Sequence, residues 1–283
     1  MGLLTALASR FVAGETLPEA VQAVKVLNGF GISATLDNLG EETTDAATAK
    51  DATNEYLRIY DAIEQKGLDC TASVKLTQVG LAIDPALAER NVRKILNRAK
   101  RYNNFLRIDM EGSAYTQATL DIFRRVYQDY GNVVGIVLQA NLRRSMKDMD
   151  RLLTIGAQIR WCKGAYKEPE DIAFPKKDDV NDQYRAGMEK LLTSGIYHGI
   201  ATHDKAMVRA AQKFADSKGI AKDDFEFQML YGIERNLQRK LHTEHYGMRV
   251  YVPYGSDWLP YFSRRIMERK ENLLFVISHF FKG

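Results

Sequence analysis

The sequence predicts an α/β protein built as one (βα)8 barrel. Short β-branched or apolar runs alternate with longer helical patterns along the chain. Eight such pairs fit in 283 residues, and barrels of this kind typically take about 250. No Gly-rich dinucleotide fingerprint follows the first strand, which weakens the runner-up, an open doubly wound sheet.

The strands are expected at 33–38, 72–78, 105–111, 134–140, 158–164, 198–204, 225–230 and 248–253. Between the first and second, 45–67 opens with an acidic first turn and stops at Gly67, a C-cap. The next helix, 84–103, starts with Asp84-Pro85, an N-cap and N1 pair. A third runs from Ser113 to the Gly131 stop, and shorter helices follow near 144–155, 180–194, 204–218 and 231–246. No linker or low-complexity segment interrupts the series, so 1–283 reads as a single domain.

Composition removes several function classes. The chain is 45% hydrophobic and 27% charged, which excludes wholesale disorder. Cys70 and Cys162 cannot make a disulfide framework or a cysteine-rich zinc site, and both are expected as buried free thiols. The N-terminus lacks a basic n-region, and no run reaches the length of a membrane span, so the expectation is a cytoplasmic protein. A net charge of +4 is too small to indicate nucleic acid. Most of it arises after residue 263, where five basic residues face two acidic ones. His242 and His245 have helical i,i+3 spacing, but a surface pair is the simpler reading. The 176–182 charge run reads as a solvated loop and helix start.

Barrel active sites lie at the C-terminal strand ends. Those ends supply Asp37, Lys75, Gln78, Asp109, Glu111, Gln139, Arg160, Lys163, Thr202, His203, Asp204, Gln228 and Tyr251. A barrel end meets water, so polarity alone is weak evidence. Lys75 and Arg160 interrupt apolar strands and point more firmly to function. Further on, Tyr261, Arg264, Arg265 and Glu268 share one helix face by spacing. Adjacent arginines beside an aromatic can hold a carboxylate bidentately. A lone Arg pair would more often be a solvated basic face. The last helix of a barrel normally presents an apolar face to the sheet, however, and this one is polar.

The motifs VKLTQVGL (74–81), RIDMEGS (107–113), VLQA (137–140), RWCKGAY (160–166), ATHD (201–204), FEFQMLYG (225–232) and YFSRR (261–265) occur in order. In this the chain resembles the monofunctional bacterial proline dehydrogenases and the proline dehydrogenase domain of bifunctional proline-utilisation flavoproteins. The resemblance runs from residue 10 to the C-terminus. It implies a distorted barrel whose final helix lies over the strand ends, with FAD bound non-covalently. The implied reaction is oxidation of L-proline to Δ1-pyrroline-5-carboxylate, a hydride passing to flavin N5 and electrons to a membrane quinone. Pyrroline-5-carboxylate dehydrogenase is the implied functional partner.

Position by position, Arg264, Arg265 and Lys75 match carboxylate-binding residues. Tyr251, Tyr261 and Leu230 match the walls around the ring, and Glu268 a carboxylate pairing with the arginines. Arg160 and Asp109 match catalytic positions beside the flavin. Met110, Gln139, Lys163, Gly164, Ala165, Tyr166, Thr202 and His203 match FAD-binding positions, as does Arg160. Trp161 and Cys162 stand where the family has smaller aliphatics. Family members carry further residues ahead of 10–17, so a trimmed or naturally short N-terminus is expected. A basic, apolar tail (Leu273, Leu274, Phe275, Phe280, Phe281, with Arg269, Lys270 and Lys282) suits peripheral contact with the inner face of the membrane. Two other function classes stay open: a Schiff-base lyase or aldolase using Lys75 or Lys163, and a non-catalytic amino-acid-binding barrel.

Overall fold

In the computed structural model, residues 8–268 are described. Helix α1 (Leu17–Gly29) precedes strand β1 (Ser33–Asn38), and α2 (Ala46–Lys66) leads to β2 (Cys70–Val74). There follow α3 (Pro85–Arg101), β3 (Leu106–Ile108), α4 (Ser113–Tyr130) and β4 (Val134–Gln139). Next come α5 (Ser145–Leu153), β5 (Ile159–Cys162), α6 (Lys177–Leu192), β6 (His198–Ala201) and α7 (Lys205–Lys218). Finally β7 (Phe225–Leu230), α8 (Arg235–Thr243), β8 (Gly247–Tyr254) and α9 (Trp258–Glu268) complete the series.

Local chemistry sets the boundaries. Asp45, Asp84 and Asp204 each cap a helix by accepting from backbone N–H groups one or two residues inside it. Asp45 is thus the cap of α2 and not part of an acidic first turn. Gly67 and Gly219 end α2 and α7 in the left-handed conformation. The eight strands pair in parallel and in sequence order, and β8 returns to β1 over six residue pairs to close the barrel. Valines, leucines and isoleucines on the outward strand faces pack on the helices as one buried core.

The inward face is different. It carries Thr35 and Asp37 on β1, Ser73 on β2, with Lys75 directly after it, and Arg107 on β3. Arg160 follows on β5, Glu226 and Gln228 on β7, and Arg249 and Tyr251 on β8. All but Arg249 and Tyr251 are buried, and those two are partly so. Branched apolar layers usually fill a barrel; a polar column replaces them here. Glycines make the room. A Cβ on Gly135 would lie 2.3 Å from Arg107, and one on Gly199 2.4 Å from Gln228.

Several strands are shorter than the sequence predicts. After β2 the backbone turns back on itself, with Val79 and Leu81 N–H bonding to Leu76 O instead of a ladder. Residues 109–111 and 202–204 likewise lie past the ends of β3 and β6, and Asp204 is committed to capping α7. Helix α1 was not expected, although Thr16, Pro18 and Glu19 mark its start: Glu19 accepts from the Thr16 N–H at 2.9 Å. His245 lies past the end of α8 with φ +67°, so the two histidines do not share helical spacing. Cys70 is buried, whereas Cys162 is only partly so.

Candidate active site

At the C-terminal mouth, five strand-end side chains interlock. Lys75 Nζ donates to Asp37 Oδ2 at 2.9 Å and lies 4.0 Å from Asp109 Oδ2. Arg160 donates to Asp109 Oδ1 at 2.8 Å, and the Tyr251 hydroxyl donates to Asp109 Oδ2 at 2.8 Å. The Arg160 guanidinium stands 5.3 Å from the centre of the Tyr251 ring. Its Nε donates to Gln228, which donates in turn to Glu226. Arg160 is therefore fixed from two sides.

Two cations face two carboxylates in this cluster, so it is balanced in charge. Burial pushes the Asp37 carboxyl up, although Lys75 opposes this. Burial also acts to lower the Lys75 ammonium, but Asp37 and Asp109 outweigh it and hold its pKa above the ordinary value. Burial, then Asp109 and Asp37, keep Tyr251 protonated far above the usual range.

Helix α9 covers this mouth. Tyr261 and Phe262 pack with Phe11, Val12, Leu39 and Ile233, and Leu230 joins the cluster. Leu39 follows β1, while Leu230 and Ile233 lie at the end of β7 and just beyond it. An apolar ridge of α9 is thus seated on strand ends, as the polar face at Arg264 anticipates. Arg264 pairs with Glu41 at 2.7 Å and stands 5.8 Å from the Tyr166 ring centre. The Tyr166 hydroxyl reaches Glu41 at 3.4 Å. Arg265 is buried, with its guanidinium 5.1 Å from the Tyr261 ring centre. The Glu268 side chain and the whole tail 269–283 lie outside the described residues. Glu41 is the acidic partner that the sequence reading missed. It lies just beyond a strand end, after Gly40 with φ +149°, and nothing in the local sequence names its partner.

A second group lies along β4 to β6. Lys163 donates to Asp204 at 2.8 Å and to Asn181 at 2.6 Å. Asn181 comes from the 176–182 run, which therefore supplies more than a solvated helix start. Gly164 has φ +100°, and a Cβ there would lie 2.1 Å from Asn141 Oδ1. That oxygen is buried without a hydrogen-bond partner. Gln139 donates to the carbonyls of Met110 and Glu111, tying β4 to the loop after β3. Thr202 Oγ1 accepts from Asp204 N–H, and His203 Nε2 accepts from Leu230 N–H. Ala165 is exposed on the loop after β5. Trp161 faces outward against α6: its indole donates to Tyr184 O and occupies the Cβ space of Gly187. The large residue in the motif is therefore core, and the mouth is unaffected by it.

FAD fits this second group. A pyrophosphate needs a cation and close approach of backbone. Lys163 supplies the first. Gly164, with no side chain in the way, and the start of α7 supply a cradle of backbone groups. Among the described residues no cluster of three or more His, Cys, Asp or Glu could hold a metal ion. Nor is any described helix long and apolar enough to cross a membrane.

The proline dehydrogenase family model matches residues 20–278. Proline dehydrogenase of Deinococcus radiodurans is 42% identical, over 98% of this chain and 91% of that protein. Proline dehydrogenase 2 of Bacillus subtilis is 41% identical, over 98% of this chain and 89% of that protein. Among solved structures, proline utilization A from Bdellovibrio bacteriovorus, inactivated by N-propargylglycine, superposes with a TM-score of 0.87 at 24% identity. That match covers 93% of this chain and 32% of the longer protein, and it shows the fold.

Proposed function

From its membership of the proline dehydrogenase family, to which this chain belongs, we propose that it oxidises L-proline to Δ1-pyrroline-5-carboxylate with FAD as cofactor and a quinone as the final electron acceptor. The observation that carries the reading is Arg160, a buried cation held rigidly by Asp109 and Gln228 at the strand ends. Lys163, Gly164, Thr202 and His203, with Met110, Gln139, Ala165 and Tyr166, would hold FAD. Bound there, it supplies the hydride acceptor.

The chain's own residues then have separate tasks. Arg264 and Arg265 receive the substrate carboxylate, with Lys75 behind them, which fixes the ring while the reacting carbon stays remote. Leu230, Tyr251 and Tyr261 wall the ring and exclude water. Arg160 places a fixed positive charge where negative charge develops, without reorganisation. Asp109 accepts from Arg160 and Tyr251 through its two oxygens and so orients them. The substrate amine enters as the free base, its proton left to solvent. A Schiff-base mechanism through Lys75 is disfavoured, since that role needs a neutral amine and Lys75 is ion-paired and held protonated. The product leaves for a pyrroline-5-carboxylate dehydrogenase, and the electrons leave for a quinone at the inner face of the cytoplasmic membrane.

The test is optical. Purified protein is expected to show oxidised-flavin absorbance that bleaches on adding L-proline without oxygen. A colourless protein that cannot be reconstituted with FAD would overturn the proposal.

A further inference from the structure

The opposite, N-terminal mouth of the barrel opens into a second cavity of about 560 Å³. It is walled by residues at or just before the starts of β2 to β8 and reaches inward to Arg160 and Gln228. Small-molecule sites have such volumes. The catalytic reading assigns it nothing.

Its charges do not cancel. Arg249 is clasped by both oxygens of Glu226, at 2.9 and 3.0 Å. Arg160 is matched by Asp109, and Lys75 by Asp37. Arg107 has no carboxylate within ion-pair distance among the described residues. It is 4% exposed, and its NH1 donates only to the carbonyls of Ile136 and Gln158. Asp69, at the rim, is exposed and accepts from Ser33. Burying a guanidinium without a counter-charge is strongly unfavourable. Consistent with this, burial, reinforced by Arg160, pushes Arg107 down to about 9, so it remains a cation at neutral pH.

Unmade polar groups recur in the barrel interior. Arg107 Nε is buried with no hydrogen-bond partner, and so are Ser73 Oγ and Thr35 Oγ1. The three belong to adjacent strands. Ser73 is the register partner of Arg107 across β2 and β3, which puts their side chains on the same interior face. Native interiors rarely leave such groups unmade. A buried cation that lines a cavity and has no carboxylate partner is the complement of an anion.

We propose that the N-terminal mouth is a binding site for one small monovalent anion, a halide or a short carboxylate, held by Arg107, which lines the cavity. One negative charge balances the interior column, and a second would unbalance it. The Arg160–Gln228–Glu226 hydrogen bonds run from the upper cluster to the wall of this cavity, so an anion there also raises the negative potential beneath Arg160.

Crystals of the full chain soaked in sodium bromide, measured at the bromine edge, test this directly. An anomalous peak within hydrogen-bonding distance of the Arg107 guanidinium is expected. Bromide found only at surface arginines, or water alone at Arg107, overturns the proposal. In solution, the thermal-unfolding midpoint is titrated with bromide and, separately, with formate, against sulfate at matched ionic strength. A saturating rise is expected with at least one monoanion, and which one distinguishes a halide from a carboxylate site. Arg107→Met should abolish the rise. Arg107→Lys, a milder change that keeps a cation, should weaken the apparent affinity roughly three- to tenfold. An equal rise in wild type and Arg107→Met refutes the assignment. Should Arg107→Met fail to fold, the wild-type diffraction and Arg107→Lys still decide.

Discussion

Lys75 shows how a single side chain acquires its role. Its ammonium is buried between Asp37, which is fully buried, and Asp109. Removing it leaves uncompensated carboxylates in the barrel, and breaking a buried pair in this way costs about 3–5 kcal/mol. Lys75→Met is therefore expected to lose stability by that amount in urea unfolding; an unchanged midpoint would contradict the packing described. The arginines of α9 behave differently. Arg264 and Glu41 are each a quarter exposed at the side chain, and such pairs contribute only about 0–1 kcal/mol. Arg264 can thus exchange Glu41 for a substrate carboxylate at small cost. Replacing either Arg264 or Arg265 by Met should remove one charge-assisted bond of about 1.5–3 kcal/mol. That corresponds to roughly a 10- to 150-fold rise in KM for proline, with kcat less affected. Unaltered steady-state kinetics in both variants would refute the carboxylate role. Arg160, Lys75 and the Arg264–Arg265 pair were legible in the sequence as charges out of place. Glu41 and Asn181 were not, because nothing local in a loop or helix start tells which distant cation it will meet.

At the scale of elements, the strands hold the site through what they omit. Gly199 on β6 faces Gln228 on β7, and a Cβ would come within 2.4 Å of the amide that fixes Arg160. Gly199→Ala must therefore move Gln228, because the backbone around it is locked in the ladder. Overpacking of this kind costs about 1–3 kcal/mol. The expected result is a lower kcat with KM for proline nearly unchanged, since the carboxylate clamp sits on α9. A selective rise in KM would place the effect elsewhere. Strand and helix order could be read from the alternation of patterns, whereas strand lengths could not. Lys75 to Gln78 have strand-like composition, but their backbone groups bond to turns and side chains: Thr77 N–H, for example, goes to Glu111. That competition is tertiary, and periodicity does not register it. Helix α1 escaped notice for the opposite reason: its cap signals are local and were present, but no strand before it marked a βα unit.

For the whole molecule, barrel closure and the helix packing set stability, and one buried histidine makes that stability depend on pH. His198, at the start of β6, is 1% exposed. Its Nδ1 accepts from the Ile159 N–H at 3.0 Å, so that nitrogen carries no proton. Its Nε2 lies 2.9 Å from Ser194 Oγ and donates there. Protonation would place a second hydrogen against Ile159 N–H. Burial, followed by the nearby Arg107, pushes the pKa down to about 3 from 6.5. Above pH 6.5 both folded and unfolded chains hold this group neutral, and it contributes no slope. As the pH falls from 6.5 towards 3, the unfolded chain takes up a proton that the native chain refuses, so stability falls. The slope is about 1.4 kcal/mol per pH unit, or roughly 2 kcal/mol lost by pH 5. His198→Asn keeps an acceptor near Ile159 and a donor near Ser194 but cannot titrate. Urea unfolding at pH 7.5 and pH 5 is expected to show the variant losing about 2 kcal/mol less than wild type on acidification. The difference between the two proteins cancels the carboxylates, which titrate alike in both. Parallel losses would mean that His198 already accepts its proton in the folded state, and that the Ile159 hydrogen bond does not hold its tautomer.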